Sequence, residues 1–170
     1  MKKIFLVFVL AAVIATGAVF ADHPDGWGIG FVGGGAGDFG SGAGASYGLS
    51  LKAPSMPIYW GINPRFESGF TYLGVTGDYY VIDSVLVSDI GLHWYLGVGG
   101  FATLGFGNSN VHISLGARVP IGLSWQLGIG GPINAIEVFL QLAPSLGVSV
   151  SPKVGFIGGW DGGLGFRVWF

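Results

Sequence analysis

The chain has no cysteine in 170 residues. That excludes disulfides, thiolate nucleophiles, cysteine-held metals and a lipid-modified N-terminal cysteine. Charge is nearly as scarce: Asp, Glu, Lys and Arg supply 9% of residues, against about 25% in a soluble domain. So few ions cannot coat a water-facing exterior, and the absence of a basic patch excludes nucleic acid as a partner. Beyond its first residues the chain also lacks any run of about eighteen apolar residues, so no helix of the mature protein crosses a bilayer. What it has in quantity is apolar side chains (51%) and glycine (34 residues). An oily chain without a spanning helix has one membrane solution left. That solution is a closed barrel, in which every backbone group is paired strand to strand.

The N-terminus has the plan of a secretory signal. Lys2 and Lys3 precede an apolar core from Ile4 to Ile14, and Val19-Phe20-Ala21 forms a small-residue cleavage site. Residues 1–21 are therefore expected to be removed, leaving residues 22–170 as one outer-membrane barrel domain that starts Asp22-His23-Pro24. Loss of the two lysines makes the mature chain more acidic than the full chain's net −2.

The period of the mature chain is two. Val111, Ile113, Leu115, Ala117, Val119, Ile121, Leu123 and Trp125 alternate with His112, Ser114, Gly116, Arg118, Pro120, Gly122 and Ser124, so one ribbon carries an oily side and a wet side. Similar alternation predicts further strands near 27–32, 45–52, 58–66, 70–81, 89–99, 136–149 and 163–170. The predicted fold is all-β: an eight-stranded antiparallel up-and-down transmembrane barrel after a cleaved signal peptide. Turns are expected at Ala53–Pro57 and Asp83-Ser84, and outer loops at Gly33–Gly44, Glu67–Gly69, Thr103–Asn110 and Ser151 to about Gly159. Pro120 and Pro144 each cost a ladder hydrogen bond, which predicts a bulge or a strand end at each.

Most ionisable residues in these strands fall opposite the oily row. Arg65, Glu67, Asp78, Asp89, His93, Arg118, Glu137, Gln141 and Arg167 form the expected polar network of the lumen, where charges need partners. A final turn centred on Pro152 sets Glu137 opposite Arg167. Trp27, Tyr59, Trp60, Tyr79, Tyr80, Trp125, Trp169 and Phe170 lie near strand ends and are expected at one membrane–water interface. Gly28-Ile29-Gly30-Phe31-Val32-Gly33 matches a dinucleotide-binding glycine pattern, but no helical period follows it to hold a pyrophosphate. His93, His112, Asp89 and Ser114 are the candidates for a catalytic group of His and Ser with a carboxylate. The two histidines start at different depths, too far apart for a nucleophile and its base. Two strand histidines without cysteine offer no metal-ligand spacing. No cofactor, metal or enzymatic activity is expected.

A signal peptide, alternating segments, short turns and a terminal Phe166, Val168, Phe170 pattern together resemble the small OmpA/OmpX-like outer-membrane barrels. Pro57-Ile58-Tyr59-Trp60-Gly61-Ile62-Asn63, Leu73-Gly74-Val75-Thr76-Gly77-Asp78-Tyr79-Tyr80 and Trp94-Tyr95-Leu96-Gly97-Val98-Gly99-Gly100 are similar to an uncharacterised family of short spirochaetal outer-membrane proteins. The resemblance implies that Phe170 is read by the outer-membrane assembly machinery and that the protein is a narrow pore or a surface adhesin; the residues themselves favour a structural barrel or narrow pore with lipid as its main partner. An adhesin binding host ligands through its outer loops is the alternative, and a soluble exported ligand-binding barrel a further one.

Overall fold

The computed structural model describes residues 23–24, 26–39, 43–67, 69–107 and 110–170; the expected signal peptide lies outside them. The described strands are β1 (Gly28–Asp38), β2 (Ala43–Lys52), β3 (Ile58–Glu67), β4 (Phe70–Val87), β5 (Leu92–Gly107), β6 (Asn110–Arg118), β7 (Ile121–Gly130), β8 (Ile133–Ser151) and β9 (Gly155–Trp169). Each pairs antiparallel with its neighbours, and β1 pairs with β9 to close the ring. β6 and β7 are two halves of one stave, because both lie between β5 and β8. Arg118 pairs with Gly99 and Ser145, and Ile121 with Leu96 and Leu142, so the register passes unchanged through Val119-Pro120. The result is an eight-stave up-and-down barrel.

The prolines behave differently from each other. Pro120 interrupts the ladder, although its carbonyl still accepts from the Gly97 N–H at 2.7 Å. At Pro144 there is neither bulge nor strand end: β8 runs through in register, with Pro144 opposite Trp160 and its carbonyl accepting from the Val119 N–H at 3.0 Å.

Several strands are longer than the sequence pattern predicts. Gly33–Asp38 belongs to β1, paired on one side with β2 and on the other with β9, so the expected loop at Gly33–Gly44 is mostly strand. Glycine is a weak strand former, but here the chains approach too closely for anything larger. A Cβ on Gly34 would stand 2.0 Å from the Gly162 carbonyl oxygen, and one on Gly30 1.7 Å from that of Phe166. Likewise β5 extends to Gly107 and β9 starts at Gly155, which shortens the loops expected at Thr103–Asn110 and Ser151–Gly159. Asp83-Ser84 is not a turn. β4 continues to Val87, and the reversal falls at a 3₁₀ turn, Ser88–Ile90, closed by Gly91 at φ 64°.

Burial reverses the order of a water-soluble protein. Ile29, Phe31, Leu49, Val75, Val98, Leu115, Ile121, Leu123, Leu140, Leu142, Leu164 and Phe166 all face outward and are exposed. Among the described strand side chains none on the outer face is charged. Trp27, Trp60, Tyr79, Trp125 and Phe170 ring the outside at the end where β1 begins and β9 finishes, while Phe39, Phe66, Phe106 and Phe156 are exposed at the other. Every stave has at least ten residues, enough for a tilted strand to span a bilayer.

Candidate functional site in the lumen

The lower lumen, at the end where β1 begins and β9 finishes, is filled by a polar knot. β8 and β9 place Glu137 directly opposite Arg167. Arg167 Nη1 donates to both Glu137 carboxylate oxygens at 2.8 and 2.9 Å, Nε donates to Ser50 Oγ at 2.8 Å, and Nη2 donates to the Tyr80 hydroxyl at 3.4 Å. The guanidinium lies over the rings of Phe139 and Tyr59, 4.1 and 4.8 Å from their centroids, a cation–π arrangement that offsets part of its lost hydration. Glu137 also accepts from Ser124 Oγ at 2.9 Å, Trp169 Nε1 at 3.0 Å and His23 Nε2 at 3.1 Å.

His23 comes from the segment that precedes β1. Its Nδ1 hydrogen-bonds the Asp83 carboxylate while Nε2 meets Glu137. An imidazole can donate on both sides when it is doubly protonated. Burial opposes that charge, but the Glu137 and Asp83 carboxylates outweigh it and push the pKa up to about 9. With His23 charged, the four buried ions of this knot, His23, Asp83, Glu137 and Arg167, sum to zero. Asp83 reaches the lumen because of a bulge. Tyr80 pairs with Gly97 and Ile82 with Leu96, which leaves Val81 unpaired and turns Asp83 to the inner face.

Aromatic rings seal the knot. Tyr59, Tyr80 and Tyr95, from three consecutive strands, stack at centroid spacings of 4.0 and 4.2 Å. Tyr95 and Trp169 are fully buried, as is Glu137. Above this floor the lumen opens into a cavity of about 590 Å³. Arg118 spans it, 3.1 Å from Asp78 and 2.9 Å from Asp161. Tyr95 donates to Gln141 Oε1 at 3.1 Å. Arg65 sits over Tyr72, 4.7 Å from the ring centroid, and the His112 ring packs edge-on to Tyr72 with centroids 6.1 Å apart.

The structure therefore brings together Asp78 and Arg118 in the upper lumen and His93, Glu137 and Arg167 in the lower, with Gln141 between and Arg65 lining the cavity. Asp89 is corrected: it lies exposed in the 3₁₀ turn beside Ser88, outside the lumen. The Glu67 side chain lies outside the described residues. Tyr59, Tyr80 and Trp169 are also corrected, from the membrane interface to the lumen, where they are 4%, 4% and 0% exposed. Their strand parity places them inside, alternating with Trp60, Tyr79 and Val168, and parity prevails over nearness to a strand end. His23, Asp83, Ser50, Ser124, Tyr95 and Asp161 belong to the lumen site although the sequence pattern did not single them out. His93 packs near His23 below, while His112 packs near Tyr72 above.

No family model matches the chain, and no curated protein matches it. Among solved structures it is similar to Neisserial surface protein A (NspA), with a TM-score of 0.43 and 14% identity, over 85% of this chain and 96% of that one. The barrel described above rests on the strand ladder and not on this loose likeness.

Proposed function

We propose that the protein is an integral outer-membrane barrel without enzymatic activity, serving the envelope as a structural element with a sealed lumen. One observation carries this reading: an outer face with no described charge encloses buried ion pairs, Arg118 with Asp78 and Arg167 with Glu137. That arrangement suits hydrocarbon outside, where a bare ion is costly. The knot of Arg167, Glu137, His23 and the stacked tyrosines favours a closed barrel over a narrow pore. Strands that run to Gly107 and begin again at Asn110 and Gly155 leave little surface for an adhesin's ligand. In this reading the start of β1 and the end of β9 face the periplasm, Phe170 is the residue recognised during assembly, and the cavity opens outward.

The test is reconstitution into planar bilayers. Protein that stays with the membrane pellet in urea yet gives no steady current steps is the expected result. Steady conductance would overturn the sealed-lumen assignment, and recovery in the aqueous phase without detergent would overturn the membrane assignment.

A further inference from the structure

We propose that the lower lumen is an organic-cation site in its own right, made by Asp83 and Glu137, walled by Tyr59, Tyr80, Tyr95 and Trp169, and filled in cis by His23. This goes beyond the envelope role and is independent of what surrounds the barrel. The receptor is held by strands alone. Glu137 is fixed by Arg167, Ser124 and Trp169, and Asp83 by its place beside the β4 bulge. His23 belongs to no strand; it enters from the segment before β1 and accounts for the hydrogen bonding of Asp83 Oδ2.

The walls have the composition of an aromatic cage. Ring centroids of Tyr59, Tyr80, Trp169 and Tyr95 stand 5.5, 5.9, 6.1 and 6.5 Å from that of His23, and such rings attract a cation through their electron-rich faces. Without His23 the pocket keeps two carboxylates against one guanidinium, a net negative charge in a space shaped for a five-membered ring. Asp83 Oδ1 and His93 Nδ1 are buried there with no hydrogen-bond partner, so polar capacity remains unused beside the imidazole. The charged and titratable groups facing His23 are Asp83 from β4, Glu137 from β8, Arg167 from β9 and His93 from β5, with the tyrosines from β3, β4 and β5. The short link to β1 raises the local concentration of His23 to the order of millimolar or more, so free ligand competes poorly in the parent protein. The ligand class is a small planar organic cation such as imidazolium.

Chemical rescue tests the assignment. The parent, His23→Ala and His23→Ala/Asp83→Asn proteins are purified from cell envelopes in mild detergent, unfolded in urea, and refolded near pH 6 with added imidazole or neutral pyrazole. His23→Ala is expected to lose on the order of a hundredfold in its folded-to-unfolded ratio. Imidazole is expected to restore it saturably, pyrazole not, and the doubly substituted protein is not expected to respond. Absence of rescue, equal rescue by pyrazole, or rescue without the Asp83 carboxylate would each overturn the site. A second comparison does not depend on His23→Ala folding: His23→Lys is expected to fold at least tenfold more favourably than the neutral His23→Gln. Equal behaviour of those two would also overturn it.

Discussion

Charge balance in the lower lumen gives a double-substitution cycle with a definite sign. Arg167→Met leaves His23, Asp83 and Glu137 with one unbalanced negative charge, and Glu137→Leu leaves one unbalanced positive charge. Both side chains are 0–2% exposed, so water screens neither, and each single substitution is expected to cost about 3–5 kcal/mol. The double substitution restores neutrality through the His23–Asp83 pair. It retains the penalty of an unpaired acceptor at Ser50 Oγ and of unpaired donors at Ser124 Oγ and Trp169 Nε1, each worth about 1 kcal/mol. The pair should therefore cost about 2–4 kcal/mol together, well below the sum of the singles. Urea unfolding in lipid vesicles measures all three, read by the heat-dependent gel shift of folded barrels and by Trp169 fluorescence. Costs that add to within about 0.5 kcal/mol would show two independent sites, and the account of a single neutral knot would be refuted.

Two other outcomes follow from the same geometry. His23 has a folded pKa raised from 6.5 to about 9, so its contribution to stability is complete below about pH 6.5 and is lost as pH rises through 9; unfolding midpoints from pH 6 to 9 should fall for the parent and fall much less for His23→Gln. Single-tryptophan proteins retaining Trp60 or Trp125 should be quenched by brominated lipid, whereas one retaining Trp169 should not, because Trp169 is fully buried; equal quenching of all three would refute the inside–outside assignment.

The alternation of β5 to β9 was legible because a side chain every second residue meets either lipid or lumen, and those two environments select different residues. The same rule places Glu137 opposite Arg167 once the last reversal is located near Pro152. Legibility failed where a local signal competed with the ladder. Gly33–Asp38 has the composition of a loop, yet two flanking strands impose pairing on it. Asp83-Ser84 has turn-forming residues, yet a single unpaired residue, Val81, shifts the parity and makes Asp83 a lumen ligand. Tyr59, Tyr80 and Trp169 show a third kind of conflict, since aromatic residues near strand ends suit both an interface and a packed plug. His23 had no strand pattern to place it at all. Its partners lie 60 and 114 positions away along the chain, a separation that no local periodicity reveals.

The uncharged outer wall has a consequence for how such a protein travels. A cylinder with Leu, Val and Phe turned outward on every stave has no comfortable folded state in water, since its finished form would adhere to other copies of itself. On the outer-membrane role proposed above, passage through water and completion of the ring would exclude each other: the strands would stay unclosed until hydrocarbon meets their greasy row.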